Sequence, residues 1–154
     1  MAAEIERKFL VRGDGWKRSA AEGSHLRQAY LAATDGCAIR VRIKDEQEAF
    51  LTVKSARPGL RRDEFEYAVP VDDAGAMMKL RIGDIIEKTR YRVPADDLTW
   101  EIDVFSGAHR GLVIAEIELR KEDVAFDKPA WLGEEVTHDK RYYNASLALN
   151  GLPY

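Results

Sequence analysis

The rest of the sequence is organised around one stretch near its N-terminus, Glu4-Ile5-Glu6-Arg7-Lys8-Phe9-Leu10. Side chains alternate between the two faces of a β-strand. Glu4, Glu6 and Lys8 would therefore point to one side of a strand, and the residues between them to the other. Two carboxylates and an ammonium group in one row are unusual for an ordinary core face. Such a row is typical of a site that holds a metal cation and an anionic ligand together.

Length and composition predict a single globular domain that spans residues 1–154. The chain has 154 residues, of which 45% are hydrophobic and 33% charged. That is long enough to bury one core. The 24 Lys and Arg residues are interleaved with 27 Asp and Glu, and the formal net charge is −3. A nucleic-acid surface needs a concentrated basic block, so we expect no nucleic-acid partner.

The sparse cysteine and histidine content argues against disulfides and zinc. Cys37 is the only cysteine of the sequence, which excludes an internal disulfide and favours a reducing compartment. His25, His109 and His138 lie too far apart for ligand spacing and are expected on the surface or in loops. The charged N-terminus is not a signal peptide, and charge interrupts every apolar stretch, so we expect no membrane span. A cytoplasmic protein is predicted.

Alternating hydrophobicity predicts eight short strands joined mostly by turns. They run from the N-terminus to about Val11 and over 24–33, 38–43, 48–55, 61–69, 84–93, 99–105 and 112–121. Asp72 or Asp73 can cap a helix over 74–82, and Asp139 a C-terminal helix over 140–149. The remaining segments are read as a short helix or loop over 16–21 and a loop that contains Pro129 and Gly133. Because closure removes exposed edges, these features predict a mainly antiparallel α+β fold, an eight-stranded closed β-barrel with flanking helices.

The polar face of these strands is almost entirely charged, and the sign of the charge is sorted by strand. The basic positions are Lys8, Arg40, Arg42, Lys54, Lys88, Arg90 and Arg92. The acidic positions are Glu4, Glu6, Glu64, Glu66, Glu101, Asp103, Glu116 and Glu118. One interpretation is a sandwich whose charged face lies in water. The other is a barrel with the charges inside, which requires water, compensating charges and a charged ligand. Its outer apolar face would then need cover from helices or from a homodimer partner.

The two sets of charges match the two parts of a metal–polyphosphate complex. Arginine and lysine bind phosphate oxygens, and clustered carboxylates bind a hard cation such as Mg²⁺ or Mn²⁺. Metal ions and cationic side chains stabilise charge in phosphoryl transfer, and a metal acidifies an attacking water. The sequence contains no Walker-type glycine loop, which excludes a P-loop mechanism.

An ordered set of motifs resembles the CYTH superfamily, the triphosphate tunnel metalloenzymes, and in particular compact bacterial-type tripolyphosphatases. Glu4-Ile5-Glu6-Arg7-Lys8 matches the ExExK signature of that family. The other matching motifs are Gln28-Ala29-Tyr30-Leu31, Arg40-x-Arg42, Thr52-x-Lys54, Arg62-x-Glu64-x-Glu66, Lys88-x-Arg90-Tyr91, Glu101-Ile102-Asp103-x-Phe105, Ala115-Glu116-Ile117-Glu118 and Glu135-Val136-Thr137-x-Asp139-x-Arg141-Tyr142. The resemblance covers Glu4 to Pro153 and implies an eight-stranded antiparallel tunnel with its charges inside.

The resemblance also implies roles for individual residues. The metal ligands would be Glu4, Glu6, Asp103, Glu116 and Glu118. The triphosphate would be held by Lys8, Arg40, Arg42, Lys54, Lys88 and Arg90. The catalytic set would be Glu4, Glu6, Lys8, Glu116 and Glu118. Lys140 or Arg141 could close one mouth of the tunnel. Tyr30 could touch the substrate, plug the tunnel or pack outward. Glu64 and Glu66 could pair with tunnel cations or join a second metal site.

These features predict a divalent-metal-dependent triphosphatase that acts on a small triphosphate, with inorganic tripolyphosphate as the first candidate. The compact chain leaves little room for an elaborate nucleoside pocket. Thiamine triphosphate and nucleoside triphosphates stay open as substrates, and so does class IV adenylyl cyclase activity. An alternative of another class is a non-catalytic domain that binds polyphosphate or inositol phosphate.

Overall fold

The computed structural model describes residues 5–55, 63–121 and 124–154. Nine strands and two α-helices lie in these ranges. The strands are β1 (Ile5–Val11), β2 (Ser24–Ala33), β3 (Cys37–Lys44), β4 (Glu48–Ser55), β5 (Glu64–Val69), β6 (Ile82–Ala95), β7 (Leu98–Ser106), β8 (Val113–Leu119) and β9 (Leu132–Glu135). The helices are α1 (Val71–Met77) and α2 (Asn144–Asn150). Short 3₁₀ turns occupy Gly15–Ser19, Met78–Leu80, Gly107–His109 and Lys140–Tyr142.

All nine strands form one antiparallel sheet in the order β5-β4-β3-β2-β6-β7-β8-β1-β9. The predicted mainly antiparallel α+β class, with a C-terminal helix, is therefore confirmed. Strands β5 and β9 are the two ends of the order, and no ladder joins them within the described residues. Hydrogen bonds thus do not close this sheet into a barrel over the part of the chain that the structure describes.

The predicted number of eight strands is wrong, because part of the expected loop before the last helix forms β9. This four-residue strand pairs only with β1, where Val11 faces Leu132. Its sequence, LGEE, does not alternate between apolar and polar residues, so it gives no strand signal. Gly133 is required there: a Cβ atom would lie 2.9 Å from the backbone oxygen of Leu10 on β1.

Both helices differ in detail from the prediction. Helix α1 begins at Val71, directly after Pro70, and Asp72 and Asp73 lie in its first turn without capping it. Acidic groups in that position interact favourably with the helix dipole. The predicted single C-terminal helix is two pieces, because Tyr143 has an extended backbone between the 3₁₀ turn and α2. The side chain of Asp139 does cap the first piece, accepting from the backbone N–H of Arg141.

The outer, apolar face of the sheet is largely covered by the chain's own segments. Phe9 and Trp100 make an edge-to-face contact with ring centroids 5.7 Å apart, and Trp131 packs edge-on against Trp100 at 5.4 Å. Buried Ala74 of α1 and the adjacent Met78 pack on the outer face of β2, β3 and β4. The outer side chains Phe65 and Tyr67 on β5 are exposed. None of the described helices is long and apolar enough to cross a membrane.

Helix α2 lies across one end of the inner face. Leu147 and Ala148 of α2 pack in one buried apolar cluster with inward side chains of the sheet, among them Ile86 and Phe105. Gly83 on β6 permits this approach. Its φ is +69°, and a Cβ atom there would lie 2.3 Å from the backbone oxygen of Ala148. The inner face is therefore apolar where α2 closes it and charged beyond that point.

Candidate functional site

The inner face of the sheet brings most of the predicted charged residues together. We call this group the charged face, and it consists of Glu6, Lys8, Gln28, Arg40, Arg42, Lys54, Lys88, Arg90, Glu101, Asp103, Glu116 and Glu118. Strand order sorts these side chains by sign. Arginine and lysine occupy β3, β4 and β6, carboxylates occupy β7 and β8, and β1 contributes one of each, Glu6 and Lys8. Residue pairs across the strands, such as Arg90 with Asp103 and Lys8 with Glu116, bring opposite charges side by side.

The centre of the charged face is a buried ion cluster around Asp103. Lys88 Nζ lies 2.8 Å from Asp103 Oδ2, and Arg90 donates to both carboxylate oxygens at 2.8 and 3.0 Å. Lys88 is 0% exposed and Asp103 2%. Burial lowers the pKa of Lys88 to about 8, despite the charge of Asp103. Burial opposes ionisation of Asp103, but the Lys88 charge and the Arg90 hydrogen bond outweigh it, and the pKa of Asp103 is lowered.

Strands β1 and β8 supply a pair of interacting carboxyl groups. Glu6 and Glu116 share a hydrogen bond, which is the main cause that raises the pKa of Glu6, to about 8. Burial disfavours the charged form of Glu116, but that hydrogen bond and the Lys8 charge lower its pKa overall. Lys8 Nζ lies 3.5 Å from Glu116 Oε1 and 5.2 Å from the centre of the Tyr143 ring. Two carboxyl groups this close hold one proton between them when no cation is bound.

The arginines of β3 lie close to neutral hydrogen-bonding groups. Arg42 donates from Nε to Gln28 Oε1 at 2.7 Å, and Arg40 lies 3.5 Å from the hydroxyl of buried Thr52. Burial, followed by the charges of Arg40 and Arg90, lowers the pKa of Arg42 to about 10. An anion bound here would relieve that crowding of positive charge.

Strands β4 and β5 complete the basic side. Lys54 Nζ lies 3.9 Å from Glu64 Oε2, and the Thr52 hydroxyl lies 3.4 Å from Glu66 Oε2. Burial and the charge of Arg40 lower the pKa of Lys54, whereas the charge of Glu6 favours its protonated form. Glu6 is on β1 and Lys54 on β4, far apart in the strand order. Their interaction indicates that the two halves of the inner face curve towards each other.

The carboxylates of β1 and β8 are the residues that could hold a metal. Glu6 and Glu116 are hydrogen-bonded, and Glu118 is near enough for its charge to raise the pKa of Glu6. Glu4 lies outside the described residues. Within the part of the chain that is described, no three His, Cys, Asp or Glu side chains are grouped as a metal site. The oxygen donors of the Glu6–Glu116 pair nevertheless fit a hard divalent cation, which would replace their shared proton. The metal role of Asp103 stays a prediction, because both of its oxygens accept from Lys88 and Arg90 here.

The other predicted site residues lie outside the charged centre. Tyr30 is buried and points inward, opposite Arg40, where it packs in the apolar cluster beneath α2. Lys140 and Arg141 are exposed and line a surface groove with the last residues of the chain. Arg141 pairs with Asp139 at 2.7 Å. Their predicted roles at a tunnel mouth stay predictions.

Three side chains that contact the charged residues are not among the predicted site residues, although Gln28 belongs to one of the matching motifs. Gln28 binds Arg42, Asn144 Oδ1 accepts from Lys88 Nζ at 3.2 Å, and the Tyr143 ring faces Lys8. Gln28 alternates with Tyr30 on the inner face of β2, so the alternation could have included it. Asn144 and Tyr143 are placed by the break before α2, for which we find no signal in the sequence.

Comparison with known proteins agrees with this geometry. The family model for the CYTH domain matches residues 2–148. An inorganic triphosphatase of Acetivibrio thermocellus is 44% identical over 155 residues, covering 100% of this chain and 97% of that protein. An inorganic triphosphatase of Nitrosomonas europaea is 42% identical over 154 residues, covering 96% of this chain and 97% of that protein.

Solved structures give the same result. The crystal structure of an inorganic triphosphatase is 40% identical, with a TM-score of 0.74, and covers 97% of this chain and 96% of its own. A putative adenylyl cyclase from Hippeastrum with a dominant triphosphatase activity is 14% identical, with a TM-score of 0.57 over 77% of this chain and 80% of its own. That likeness concerns the fold alone. With a family match over nearly its whole length and full-length relatives above 40% identity, the chain belongs to the CYTH domain family.

Proposed function

We propose that this protein is an inorganic triphosphatase that hydrolyses tripolyphosphate to pyrophosphate and phosphate with the help of a divalent metal. The observation that carries the proposal is the charged face, where the buried cations Lys88 and Arg40 lie on the same sheet face as the hydrogen-bonded carboxyl groups of Glu6 and Glu116. Two relatives with more than 40% identity over nearly their full length carry the name inorganic triphosphatase. We also propose that residues 1–154 form one CYTH-like domain.

The site is proposed to be a tunnel. The sheet curves enough for Glu6 on β1 to act on Lys54 on β4. Helix α2 covers the apolar end of the inner face through Leu147 and Ala148. A tunnel of this kind excludes most water and strengthens each electrostatic contact to a bound polyanion. The opposite end, where Glu6 and Glu118 are exposed, is the proposed entrance.

The basic residues of the charged face are proposed to bind the phosphate oxygens. They are Lys8, Arg40, Arg42, Lys54, Lys88 and Arg90. In the structure Asp103 holds Lys88 and Arg90, which fixes both groups in place before substrate binds. Fixed donors cost little reorganisation when negative charge builds up on the bridging oxygen, which becomes the oxygen of the leaving group. Burial, and after it the charges of neighbouring cations, lowers the pKa values of Lys88 and Arg42, and a bound phosphate would offset the effect of those cations.

Glu6, Glu116 and Glu118, together with Glu4, are proposed to hold Mg²⁺ or Mn²⁺. A cation held there would offset phosphate charge and acidify the water that attacks the terminal phosphorus. Lys8, paired with Glu116, would bind a phosphate oxygen beside that position. The Glu6–Glu116 pair must release its shared proton when the cation binds, so metal binding should strengthen as pH rises.

Other substrates stay predictions without a specific observation in their favour. They include thiamine triphosphate, nucleoside triphosphates and the cyclisation of ATP to cyclic AMP. A non-catalytic polyphosphate-binding domain would need the basic residues but not the paired carboxyl groups of Glu6 and Glu116. A cytoplasmic location and a homodimer also stay predictions.

A substrate panel tests the proposal. The purified protein is incubated with tripolyphosphate, ATP and thiamine triphosphate under Mg²⁺ and under Mn²⁺, with readouts for phosphate, pyrophosphate and cyclic AMP. We expect phosphate and pyrophosphate in equal amounts from tripolyphosphate, at a kcat/KM above that for the other substrates. Cyclic AMP as the main product from ATP would favour the cyclase. Tight tripolyphosphate binding without turnover would favour the binding domain.

A further inference from the structure

The inner face of β2 carries one uncharged amide, Gln28, in the middle of the basic half of the charged face. Gln28 lies opposite Arg42 on β3 and Ile86 on β6, so it sits between the arginines of β3 and the Lys88–Arg90 row of β6. The side chain is 0% exposed. It is not among the site residues inferred from the sequence.

Only one end of this buried amide is satisfied. The carbonyl oxygen Oε1 accepts a hydrogen bond from Arg42 Nε at 2.7 Å. Since a guanidinium group can only donate, that contact directs the oxygen to Arg42 and leaves the NH₂ group on the other side. Gln28 Nε2 has no hydrogen-bond partner within the described residues. A buried donor without a partner is costly and uncommon, which indicates that something absent from the protein alone completes it.

We propose that Gln28 is a substrate-binding residue: its Nε2–H group donates to a phosphate oxygen of the bound triphosphate while Oε1 orients Arg42 towards the same anion. The inference rests on the proposed function, because it takes the triphosphate as the occupant of the charged face. It adds to the proposed site an uncharged hydrogen-bond donor between the cations of β3 and those of β6.

A neutral donor suits this position physically. Arg42 lies opposite Gln28 on β3, and Lys88 lies two residues after Ile86, the partner of Gln28 on β6. Burial together with neighbouring positive charge lowers the pKa of both cations. A lysine or arginine in place of Gln28 would increase the repulsion among these positive charges when no anion is bound. An amide supplies the hydrogen bond without the charge, and its own acceptor fixes the guanidinium plane of Arg42.

The direct test observes the Gln28 amide by NMR. Uniformly ¹⁵N-labelled protein in EDTA is titrated with tripolyphosphate, and the Gln28 side-chain signals are assigned by their loss in Gln28→Met. We expect the Nε2 protons to shift downfield and exchange more slowly with water as the anion binds. The amide of Gln47, which is exposed in the β3–β4 turn, serves as the control and should not move. A Gln28 amide that stays unchanged while the protein saturates with tripolyphosphate would overturn the inference.

A double-mutant cycle separates direct binding from support of Arg42. Gln28→Met keeps the side-chain volume and removes both polar ends. We expect it to raise the tripolyphosphate Kd in EDTA about 10- to 100-fold, the range for a hydrogen bond to a charged group. A further several-fold loss is expected when Gln28→Met is added to Arg42→Met. If Gln28→Met has no effect in the Arg42→Met background, Gln28 only positions the arginine and the proposal is wrong.

The outcomes distinguish this inference from the proposed function. Hydrolysis of tripolyphosphate by a protein whose Gln28 amide does not respond would overturn the inference alone. An amide that responds in a protein without turnover would support the inference and contradict the triphosphatase. A protein that does not bind tripolyphosphate at all would overturn both. The NMR titration uses the wild-type chain, so it decides the question even if Gln28→Met folds poorly.

Discussion

Replacement of Asp103 by asparagine removes the central carboxylate of the buried ion cluster. Asp103 holds Lys88 at 2.8 Å and binds Arg90 through both oxygens. An asparagine side chain has nearly the same shape, so the substitution changes charge with little change in packing. We expect Asp103→Asn to destabilise the protein, because two cations then lose their shared counter-ion.

The expected cost follows from the burial of the partners. Removing one member of a buried ion pair costs about 3–5 kcal/mol, mostly as the penalty for the charge that is left behind. Arg90 keeps Glu101 at 3.5 Å, and its side chain is 20% exposed, which moderates the cost. Lys88 can lose its proton, since burial already lowers its pKa to about 8. We therefore expect a loss near the lower limit, about 3 kcal/mol. At about 2–4 °C per kcal/mol for a chain of this size, Tm should fall by about 6–12 °C.

Thermal unfolding followed by circular dichroism at pH 7 in EDTA measures this change. Asp97→Asn, in the exposed turn between β6 and β7, is the matched control and should leave Tm nearly unchanged. Calorimetric titration with Mn²⁺ separates the counter-ion role from the predicted metal role of Asp103. An unchanged Tm together with a loss of Mn²⁺ affinity of about tenfold or more, typical of a lost contact at a metal site, would show that Asp103 is a metal ligand rather than a counter-ion.

Three further predictions test other parts of the structure. The pKa of Glu6 is raised from 4.5 to about 8, so the folded protein binds more protons than the unfolded chain between these values. Wild-type stability without metal should therefore fall as pH rises through that window. Because Glu6→Gln lacks this titration, its Tm should increase relative to the wild-type Tm from pH 5 to pH 8. A difference between the two Tm values that does not change with pH would contradict this. Lys88→Met should change the free energy of unfolding by no more than about 1 kcal/mol, because Asp103 retains its ion pair with Arg90. The same substitution should lower kcat/KM for tripolyphosphate at least about tenfold. A stability loss above about 3 kcal/mol in urea unfolding would count against this prediction. Gly83→Ala should lower the free energy of unfolding by more than about 2 kcal/mol in the same assay, because φ is positive there and the new Cβ would clash with the Ala148 carbonyl of α2. Gly75→Ala in α1 has open space around the new Cβ and should be neutral or stabilising. Equal effects of the two substitutions would contradict the predicted clash at Gly83.

Much of the fold was predictable because charged residues occupy every second position in the strands that form the inner face. Glu6 and Lys8 on β1, and Glu116 and Glu118 on β8, occupy every second position, and the two strands pair so that Lys8 faces Glu116. When several strands carry charged residues at every second position, these side chains can hardly avoid sharing one face of the sheet. The strand boundaries followed from the turn residues between them.

The parts that could not be predicted depend on tertiary contacts rather than on local pattern. Strand β9 exists because Gly133 lets its backbone approach Leu10 of β1, a contact that no property of LGEE indicates. The break at Tyr143, which divides the expected C-terminal helix, places Asn144 against Lys88. Local helix propensity contains no information about that buried lysine.

The sequence also could not predict which charged residues pair with each other within the site. Asp103 shares a face with Glu101, so the alternation groups it with the acidic residues. Only the register between β6 and β7, with Arg90 opposite Asp103, shows that it holds cations. The unsatisfied amide of Gln28 is likewise visible only when all of its neighbours are in place.

Metal-dependent triphosphatase activity is tested by phosphate release from tripolyphosphate in Mg²⁺ or Mn²⁺, compared between wild type and the Glu6→Gln, Glu116→Gln double variant. Glu134→Gln, at an exposed position of β9, controls for the loss of an acidic residue. We expect metal-dependent hydrolysis by wild type and by Glu134→Gln, and its loss in the double variant, with thermal unfolding used to verify that this variant is folded. Hydrolysis by wild type no faster than by the folded double variant would contradict this expectation.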